Sequence, residues 1–215
     1  MGRALGIDVG GTKLAAALVT DTGEILDKEQ APTEGEDAEA VFSLLLSLVE
    51  GVRSGDEVAC GVGCGGPMSP GGELVSPLNI PAWRDFPLRR RLAEATKLPT
   101  FVDNDAKALA LGEGWVGAAG DEENFIAMVV STGVGGGIVL DGRLLDGSAG
   151  NAGHIGHVIV EPGGRRCNCG AHGCLEACAS GPSIEALTGR PPEEAGPDVV
   201  ERAGTLVGRA VASVA

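Results

Sequence analysis

Three cysteines close together constrain the fold of this chain more than any other feature. Cys167, Cys169 and Cys174 lie within eight residues, in the run C-N-C-G-A-H-G-C. Gly170 and Gly173 in that run allow backbone angles that other residues resist, so the segment can fold back on itself. The spacing therefore predicts that three sulfur atoms converge on one cation.

Tetrahedral zinc takes a fourth ligand, and His157, which ends the run G-H-I-G-H, is the obvious donor. A Cys3His site leaves no coordination position open, so the predicted metal is structural rather than catalytic. The alternative for this segment is a disulfide pair with free thiols. The remaining cysteines, Cys60, Cys64 and Cys178, are interpreted as small buried hydrophobic residues.

Composition narrows the class of protein. With 43% hydrophobic residues, 36 glycines and 12 prolines, the chain is typical of a compact α/β protein with tight turns. Its net charge of −14 would repel a phosphate backbone, which argues against a nucleic-acid partner.

No apolar run reaches the roughly 20 residues that span a bilayer. No signal segment precedes the first predicted strand, so we expect a cytoplasmic, reducing environment.

The order of predicted elements alternates between strands and helices. Apolar positions at helical spacing predict a helix that covers Val41 to Val52, with the acidic residues Glu36, Asp37 and Glu39 in its first turn. Predicted strands are Leu5–Val9, Lys13–Thr20, Glu24–Gln30, Val58–Val62, Pro99–Val102, Phe125–Val130 and Gly137–Leu140, and further helices are Leu88–Lys97, Asp105–Trp115 and one from about Val199 onward.

Two glycine-rich turns resemble each other. The runs I-D-V-G-G-T-K-L and V-S-T-G-V-G-G-G both read as strand, turn and strand. Each turn alone could be an ordinary glycine hairpin. As a pair, they would present backbone N–H groups to a chain of phosphates.

Carboxylates accompany these turns. Asp8, in the D-x-G-G-T-K run, could hold Mg2+ directly or through water, and Lys13 adds a positive charge. In V-D-N-D-A-K, Asp105 could act as a general base on a hydroxyl, with Asn104 orienting it by hydrogen bonds. The simpler interpretation is that Asp103 or Asp105 caps the helix.

Five motifs in this order resemble the ROK family of sugar kinases and repressors, which includes bacterial glucokinases. They are D-x-G-G-T-K, V-D-N-D-A-K, S-T-G-V-G-G-G, G-N-A-G-H-I-G-H and C-N-C-G-A-H-G-C-L-E, and they cover nearly the whole chain. The resemblance implies an actin-like (ribonuclease-H-like) α/β kinase with two lobes, residues 1–104 and 105–215, the second incomplete and carrying the zinc-binding segment 157–176. It also implies an ATP and Mg2+ site and a homodimer or homotetramer at full length.

The implied activity is transfer of phosphate from ATP to the 6-hydroxyl of a hexose, with glucose as the first candidate. An N-acetylmannosamine or N-acetylglucosamine kinase and a sugar-sensing transcriptional regulator are the alternatives. Repressors of this type carry a helix-turn-helix domain before the D-x-G-G-T-K region, whereas the first strand here begins within five residues of Met1. We therefore expect a kinase.

The resemblance also implies roles for individual residues. Asp105 matches the catalytic base, and His157 would serve both the zinc ion and a sugar hydroxyl. Implied sugar contacts are Gly66, Asn79, Asn104, Asp105, His154, His157 and Glu176, and implied nucleotide contacts are Asp8, Gly10, Gly11, Thr12, Lys13, Thr132 and Gly133.

Two departures from the family pattern matter. His154 stands where family members commonly have glutamate. Imidazole can donate as well as accept a hydrogen bond, whereas a carboxylate only accepts, so sugar selectivity should shift. The alternative is that the ring turns away and water fills the gap. The chain also ends where family members continue into the rest of the large lobe. We therefore expect weak nucleotide binding and exposed apolar surface from Val207 to Val214.

Overall fold

The computed structural model describes residues 2–148 and 150–215 as an α/β chain with two compact units. Unit 1 runs to Asp121 and includes the short segment Gly147–Gly150, and unit 2 comprises Glu122–Asp146 and Asn151–Ala215. Among the described helices, none is long and apolar enough to cross a membrane.

Unit 1 is built on a five-stranded sheet with the strand order β3-β2-β1-β4-β5. The β1–β2 and β2–β3 pairs are antiparallel, whereas β1–β4 and β4–β5 are parallel. The predicted N-terminal meander is therefore confirmed. The elements of this unit are β1 (Arg3–Val9), β2 (Lys13–Thr20), β3 (Ile25–Pro32), α1 (Ala38–Val52), β4 (Glu57–Cys64), a 3-10 turn (Pro70–Gly72), α2 (Leu88–Thr96), β5 (Thr100–Asn104) and α3 (Asp105–Val116).

The core of unit 1 follows from strand and helix periodicity. Leu5, Ile7 and Val9 of β1 are buried on one face of the sheet, whereas Asp8 between them points to the exposed face. Helix α1 covers the buried face, and Trp83 is fully buried in the same cluster. Because burial of apolar area is the main stabilising term, this face holds the unit together.

The start of α1 differs slightly from the prediction. Asp37 is the N-cap, and its side chain accepts a hydrogen bond from the Ala40 N–H at 2.9 Å. Glu39 lies in the first turn as predicted, but Glu36 precedes the cap. The aspartate side chain reaches the free N–H groups at the helix end and so sets where the helix begins.

Helix α3 belongs to unit 1 because it packs on β4 and β5. The predicted lobe boundary between residues 104 and 105 stays a prediction; the compact unit extends past it to Asp121.

Unit 2 contains a three-stranded antiparallel sheet of order β6-β7-β8, against which short helices and the long C-terminal helix pack. Strand β7 begins three residues before the predicted start at Gly137, because Gly135 and Gly136 pair with Val129 and Met128. The elements of unit 2 are β6 (Phe125–Val130), β7 (Val134–Leu140), β8 (Arg143–Leu144), a 3-10 turn (Ile155–His157), α4 (Leu175–Ala179), α5 (Gly181–Thr188), a 3-10 turn (Pro192–Glu194) and α6 (Pro197–Val214).

The expectation of exposed apolar surface on α6 is wrong. Leu206 and Ala210 are buried, and Val207, Val211 and Val214 pack half-buried against the same cluster. The helix is amphipathic, so its apolar positions turn toward α4 and the 3-10 turn Ile155–His157.

The turn before β4 is held by one buried carboxylate. Oε1 of Glu57 accepts hydrogen bonds from the N–H groups of Ser54 (2.6 Å) and Gly55 (3.0 Å), and Arg53 Nε lies 3.6 Å from Oε2. Burial of Glu57 disfavours its ionised form, but these backbone hydrogen bonds outweigh burial and lower the pKa of the carboxyl group.

We predict that Glu57→Gln lowers the free energy of unfolding by about 1–2 kcal/mol at neutral pH, because the amide oxygen can still accept both N–H groups but lacks the negative charge that strengthens these hydrogen bonds. A carboxyl group with a lowered pKa in the folded state stabilises above its unfolded pKa, and that contribution disappears as pH falls through the folded pKa. The deficit of the variant should therefore vanish in acid. Urea unfolding followed by the fluorescence of Trp83 and Trp115, both in unit 1, measures it, with Glu50→Gln, an exposed position, as control. An equal deficit at all pH values would contradict the assignment.

Candidate functional site

The D-x-G-G-T-K turn joins β1 to β2 in unit 1 and is closed by hydrogen bonds. The Gly10 N–H donates to the Lys13 carbonyl at 3.0 Å. Thr33, just after β3, donates its hydroxyl to the Gly10 carbonyl at 2.7 Å and its N–H to the Thr12 carbonyl at 3.1 Å. Thr33 was not predicted, because its role depends on the pairing of β3 with β2.

Asn79 lies against this turn. A Cβ atom built on Gly11 would be 2.2 Å from the Cβ of Asn79, closer than real atoms approach. The Gly66 carbonyl accepts a hydrogen bond from the Leu78 N–H at 3.3 Å. Unit 1 therefore brings Gly66 and Asn79, both predicted sugar contacts, close to the predicted phosphate turn.

Two carboxylates meet at the carboxyl end of the parallel strands. Asp8 pairs in register with Gly63 of β4, and a Cβ atom on Gly63 would be 3.3 Å from the Cα of Asp105. Burial raises the pKa of Asp8, and the negative charge of Asp105 raises it further, while Lys13 and Lys28 oppose the shift. A cation at this position would favour the ionised form of both carboxylates.

The junction between β5 and α3 carries the predicted base. Asn104, rather than Asp103 or Asp105, is the N-cap: its side-chain oxygen accepts from the Ala106 N–H at 3.1 Å. That oxygen therefore bonds to the helix end rather than orienting the Asp105 carboxylate directly. Asp105 lies in the first turn, where the helix dipole favours a negative charge. Lys107 is buried and lies 3.3 Å from Asp103, an ion pair that sequence reasoning missed.

The second glycine turn, between β6 and β7, lies in unit 2. The Ser131 N–H donates to the Gly133 carbonyl at 2.8 Å, which closes the turn around Thr132. The Val134 N–H donates to Oε2 of Glu176 at 3.0 Å. Glu176, in the first turn of α4, is therefore placed beside this turn.

Glycines bring the histidine segment onto β7. A Cβ atom on Gly156 would be 2.0 Å from the Val134 carbonyl oxygen, and one on Gly153 would be 2.7 Å from that of Gly136. This backbone contact places His154 and His157 near the turn, with their ring centroids 6.2 Å apart. Only glycine leaves room for such an approach.

The predicted metal ligands converge. Nδ1 of His157 and the sulfur atoms of Cys167, Cys169 and Cys174 all lie within 4.8 Å of one another. The distances are 3.7 Å for both Cys167 Sγ to His157 Nδ1 and Cys169 Sγ to Cys174 Sγ. Zinc–sulfur bonds of about 2.3 Å in a tetrahedron place ligand atoms about 3.7 Å apart, so the cluster fits zinc.

The backbone of the cluster also matches the prediction. Gly170 and Gly173 both have positive φ angles, 95° and 79°, which glycine adopts readily. A Cβ atom on Gly173 would be 1.7 Å from the Glu161 carbonyl oxygen, so this glycine is also needed for space.

The thiols are not arranged as a disulfide. The Cys169–Cys174 sulfur distance is well beyond the roughly 2.05 Å of a disulfide bond. Burial raises the pKa of the Cys174 thiol to about 12, whereas a backbone hydrogen bond from Ala171 lowers the pKa of Cys169. Cys60, Cys64 and Cys178 are buried as predicted.

The predicted site residues divide between the two units. Unit 1 brings together the first phosphate turn, the Gly66 and Asn79 segments and the Asp105 junction. Unit 2 brings together the second turn, Glu176, His154 and the cysteine cluster. Unit 1 carries Asp8, Gly10, Gly11, Thr12, Lys13, Gly66, Asn79, Asn104 and Asp105, and unit 2 carries Thr132, Gly133, His154, His157, Cys167, Cys169, Cys174 and Glu176.

Comparison with known proteins gives a consistent result. The ROK family profile matches residues 4–213. A glucokinase of Halalkalibacterium halodurans is 43% identical over 84% of this chain and 57% of its own length. An N-acetylmannosamine kinase of Escherichia fergusonii is 43% identical over 85% of this chain and 62% of its own length. This chain thus spans about three fifths of these relatives.

A crystal structure is also similar. A ROK family glucokinase from Streptomyces griseus, solved in complex with glucose and AMPPNP, superimposes with a TM-score of 0.77 at 33% identity. The match covers 99% of this chain and 72% of that one.

We predict that Gly156→Ala lowers the free energy of unfolding of unit 2 by about 1–3 kcal/mol, because the added methyl group overlaps the Val134 carbonyl. Gly208→Ala in α6, where a Cβ atom meets nothing within 4 Å, is the matched control and should be neutral or stabilising. Amide hydrogen exchange of β7 residues distinguishes the two. Equal protection in both variants would show that the histidine segment does not contact β7.

Proposed function

Because the chain belongs to the ROK family, we propose that it phosphorylates a hexose at the 6-hydroxyl with ATP as donor and glucose as the expected substrate. The observation that carries the proposal is the meeting of Asp8 and Asp105 at one end of the parallel strands, beside the D-x-G-G-T-K turn. Phosphoryl transfer needs such a base, cation ligand and phosphate turn.

In the proposed reaction, Asp105 accepts the proton of the sugar 6-hydroxyl while the hydroxyl oxygen attacks the γ-phosphorus of ATP. The bond from the γ-phosphorus to the bridging oxygen breaks, and ADP leaves. Asp8 would hold the Mg2+ that accompanies ATP, which neutralises charge on the phosphates. Gly11, Thr12 and Lys13 would contact phosphate oxygens, while Gly10 closes the turn.

Thr132 and Gly133 in unit 2 are the second proposed phosphate contact. Their closed turn presents backbone groups as the first turn does. The proposed sugar contacts are Gly66, Asn79 and Asn104 in unit 1 and His154, His157 and Glu176 in unit 2.

N-acetylmannosamine is the alternative substrate, since a kinase for that sugar is as similar to this chain as the glucokinase. A coupled assay of ADP release with glucose, mannose, fructose and the N-acetyl sugars tests the proposal. Glucose should give the highest kcat/KM. An N-acetyl sugar in that place would favour the alternative. Because we expect weak nucleotide binding, ATP is raised until the rate no longer changes, and sugar binding without ADP release under that condition would favour a regulator.

We predict that Asp105→Asn reduces kcat by about 10²–10⁴-fold, because an amide cannot take the proton. Sugar binding measured by calorimetry should survive. Asp121→Asn, an exposed acidic position of the same unit, is the control and should keep parental turnover. Near-parental turnover in Asp105→Asn would remove this residue from the mechanism.

We also propose that the cysteine cluster binds one structural zinc ion through His157, Cys167, Cys169 and Cys174. Zinc would fix His157 and the start of α4, which carries Glu176. Because Nδ1 of His157 faces the sulfur atoms, Nε2 is the atom proposed for a sugar hydroxyl. Zinc bound to thiolates suits the reducing cytoplasm that we expect.

We predict one zinc ion per purified chain and its loss in Cys167→Ser, together with reduced sugar affinity and reduced order in residues 157–176. Metal analysis measures the zinc content, calorimetry measures the sugar affinity, and amide hydrogen exchange measures the order of residues 157–176. Cys60→Ala, at a buried cysteine of unit 1, is the control and should retain zinc. A parent chain without zinc, or a Cys167→Ser variant with unchanged sugar affinity, would rule out this role.

A further inference from the structure

The segment Pro77–Trp83, here called the Asn79 loop, is anchored at both sides of Asn79. Pro77 before Asn79 and Ile80 and Trp83 after it are buried, and the indole N–H of Trp83 donates to the Ala38 carbonyl at 3.1 Å. Two consecutive turns shape the loop: the Ile80 N–H donates to Pro77 at 3.1 Å, and the Trp83 N–H donates to Ile80 at 3.0 Å. Asn79 itself is exposed between these anchors.

Arg84 ties the two turns together. Its Nη1 atom donates to the carbonyl oxygens of Pro77 at 3.1 Å and Ile80 at 3.0 Å, and also to that of Trp83. A carbonyl oxygen has two lone pairs, so those of Pro77 and Ile80 accept a turn N–H and the guanidinium together. One side chain thus bonds to three carbonyls of the loop.

Gly11 of the phosphate turn lies directly against this loop. Besides the 2.2 Å approach to the Asn79 Cβ, a Cβ atom on Gly11 would be 3.1 Å from Asn79 Cγ and 3.3 Å from Nδ2. Gly11 has no positive φ angle, so space rather than backbone conformation requires glycine here. Any side chain at position 11 must push Asn79 away from the turn.

We propose that Gly11 and Arg84 are positioning residues for sugar binding, which hold Asn79 against the D-x-G-G-T-K turn. The inference rests on the proposed function and deepens it, because it gives a phosphate-turn glycine a role in sugar affinity. Hydrogen bonds from Arg84 to the loop carbonyls hold the shape of the loop, and the lack of a side chain on Gly11 lets the loop approach the turn closely. The phosphate turn and the Asn79 loop are therefore in direct contact within unit 1.

The test is the affinity of Gly11→Ala for glucose, measured by calorimetry without nucleotide. Displacement of Asn79 should weaken glucose binding by about tenfold, the equivalent of one lost hydrogen bond. Gly117→Ala is the matched control, because it lies in the same unit and its methyl group would meet the Cα of Glu113 at 2.7 Å and not Asn79. Its affinity without nucleotide should stay within about twofold of the parent.

A double-mutant cycle separates the contact from general loosening. Asn79→Gly removes the Cβ atom that the new methyl group would displace, so adding Gly11→Ala to it should cause no further loss of glucose affinity. Adding Gly117→Ala to Asn79→Gly should give additive effects. Arg84→Met is a second variant, which should weaken glucose binding while Arg90→Met, an exposed arginine on α2, should not.

The outcomes separate the inference from the proposed function. A parent chain that binds none of the tested hexoses would overturn both. A parent that binds glucose, with Gly11→Ala unchanged or additive with Asn79→Gly, would overturn the inference alone. Urea unfolding provides a readout that does not depend on sugar: the destabilisation by Gly11→Ala should be relieved by Asn79→Gly, and its persistence would also overturn the inference.

Discussion

The parallel pairing of β1, β4 and β5 is the constraint on which unit 1 depends. It brings three carboxyl-terminal strand ends, which are far apart in the chain, to one edge of the sheet. Asp8 lies near the end of β1, Asp105 directly follows β5, and Gly63 of β4 leaves room for the start of α3. Without this pairing, Asp105 would not lie close enough to Asp8 to raise the pKa of its carboxyl group.

Close backbone approach plays the equivalent part in unit 2. The hairpin of β6 and β7 carries Thr132 and Gly133, but the residues beside it come from more distant segments. Gly153 and Gly156 bring the histidine segment onto β7, and Glu176 connects α4 to the hairpin through the Val134 N–H. Both glycines are needed for the space that they leave. Gly153 also has a positive φ angle, 86°, whereas Gly156 does not.

The cysteine cluster adds a second kind of constraint to the same unit. It joins the segment of His157 to the start of α4 over a short stretch of chain, in a part of the unit with little apolar core of its own. Three sulfur atoms and one ring nitrogen that bind the same cation leave little conformational freedom. Rigidity here would carry over to His157 and Glu176.

The sequence by itself determined the features that local chemistry controls. Alternating and helical apolar patterns predicted the N-terminal meander and α1, and the C-x-C-G-x-x-G-C spacing predicted the ligand cluster, because each depends on residues near one another in the chain. The cap at Asn104, the burial of α6, the Asp103–Lys107 pair and the Gly11–Asn79 contact were decided only by tertiary structure. Their physical reason is common: each depends on which distant segments become neighbours, and a one-dimensional pattern does not contain that distance.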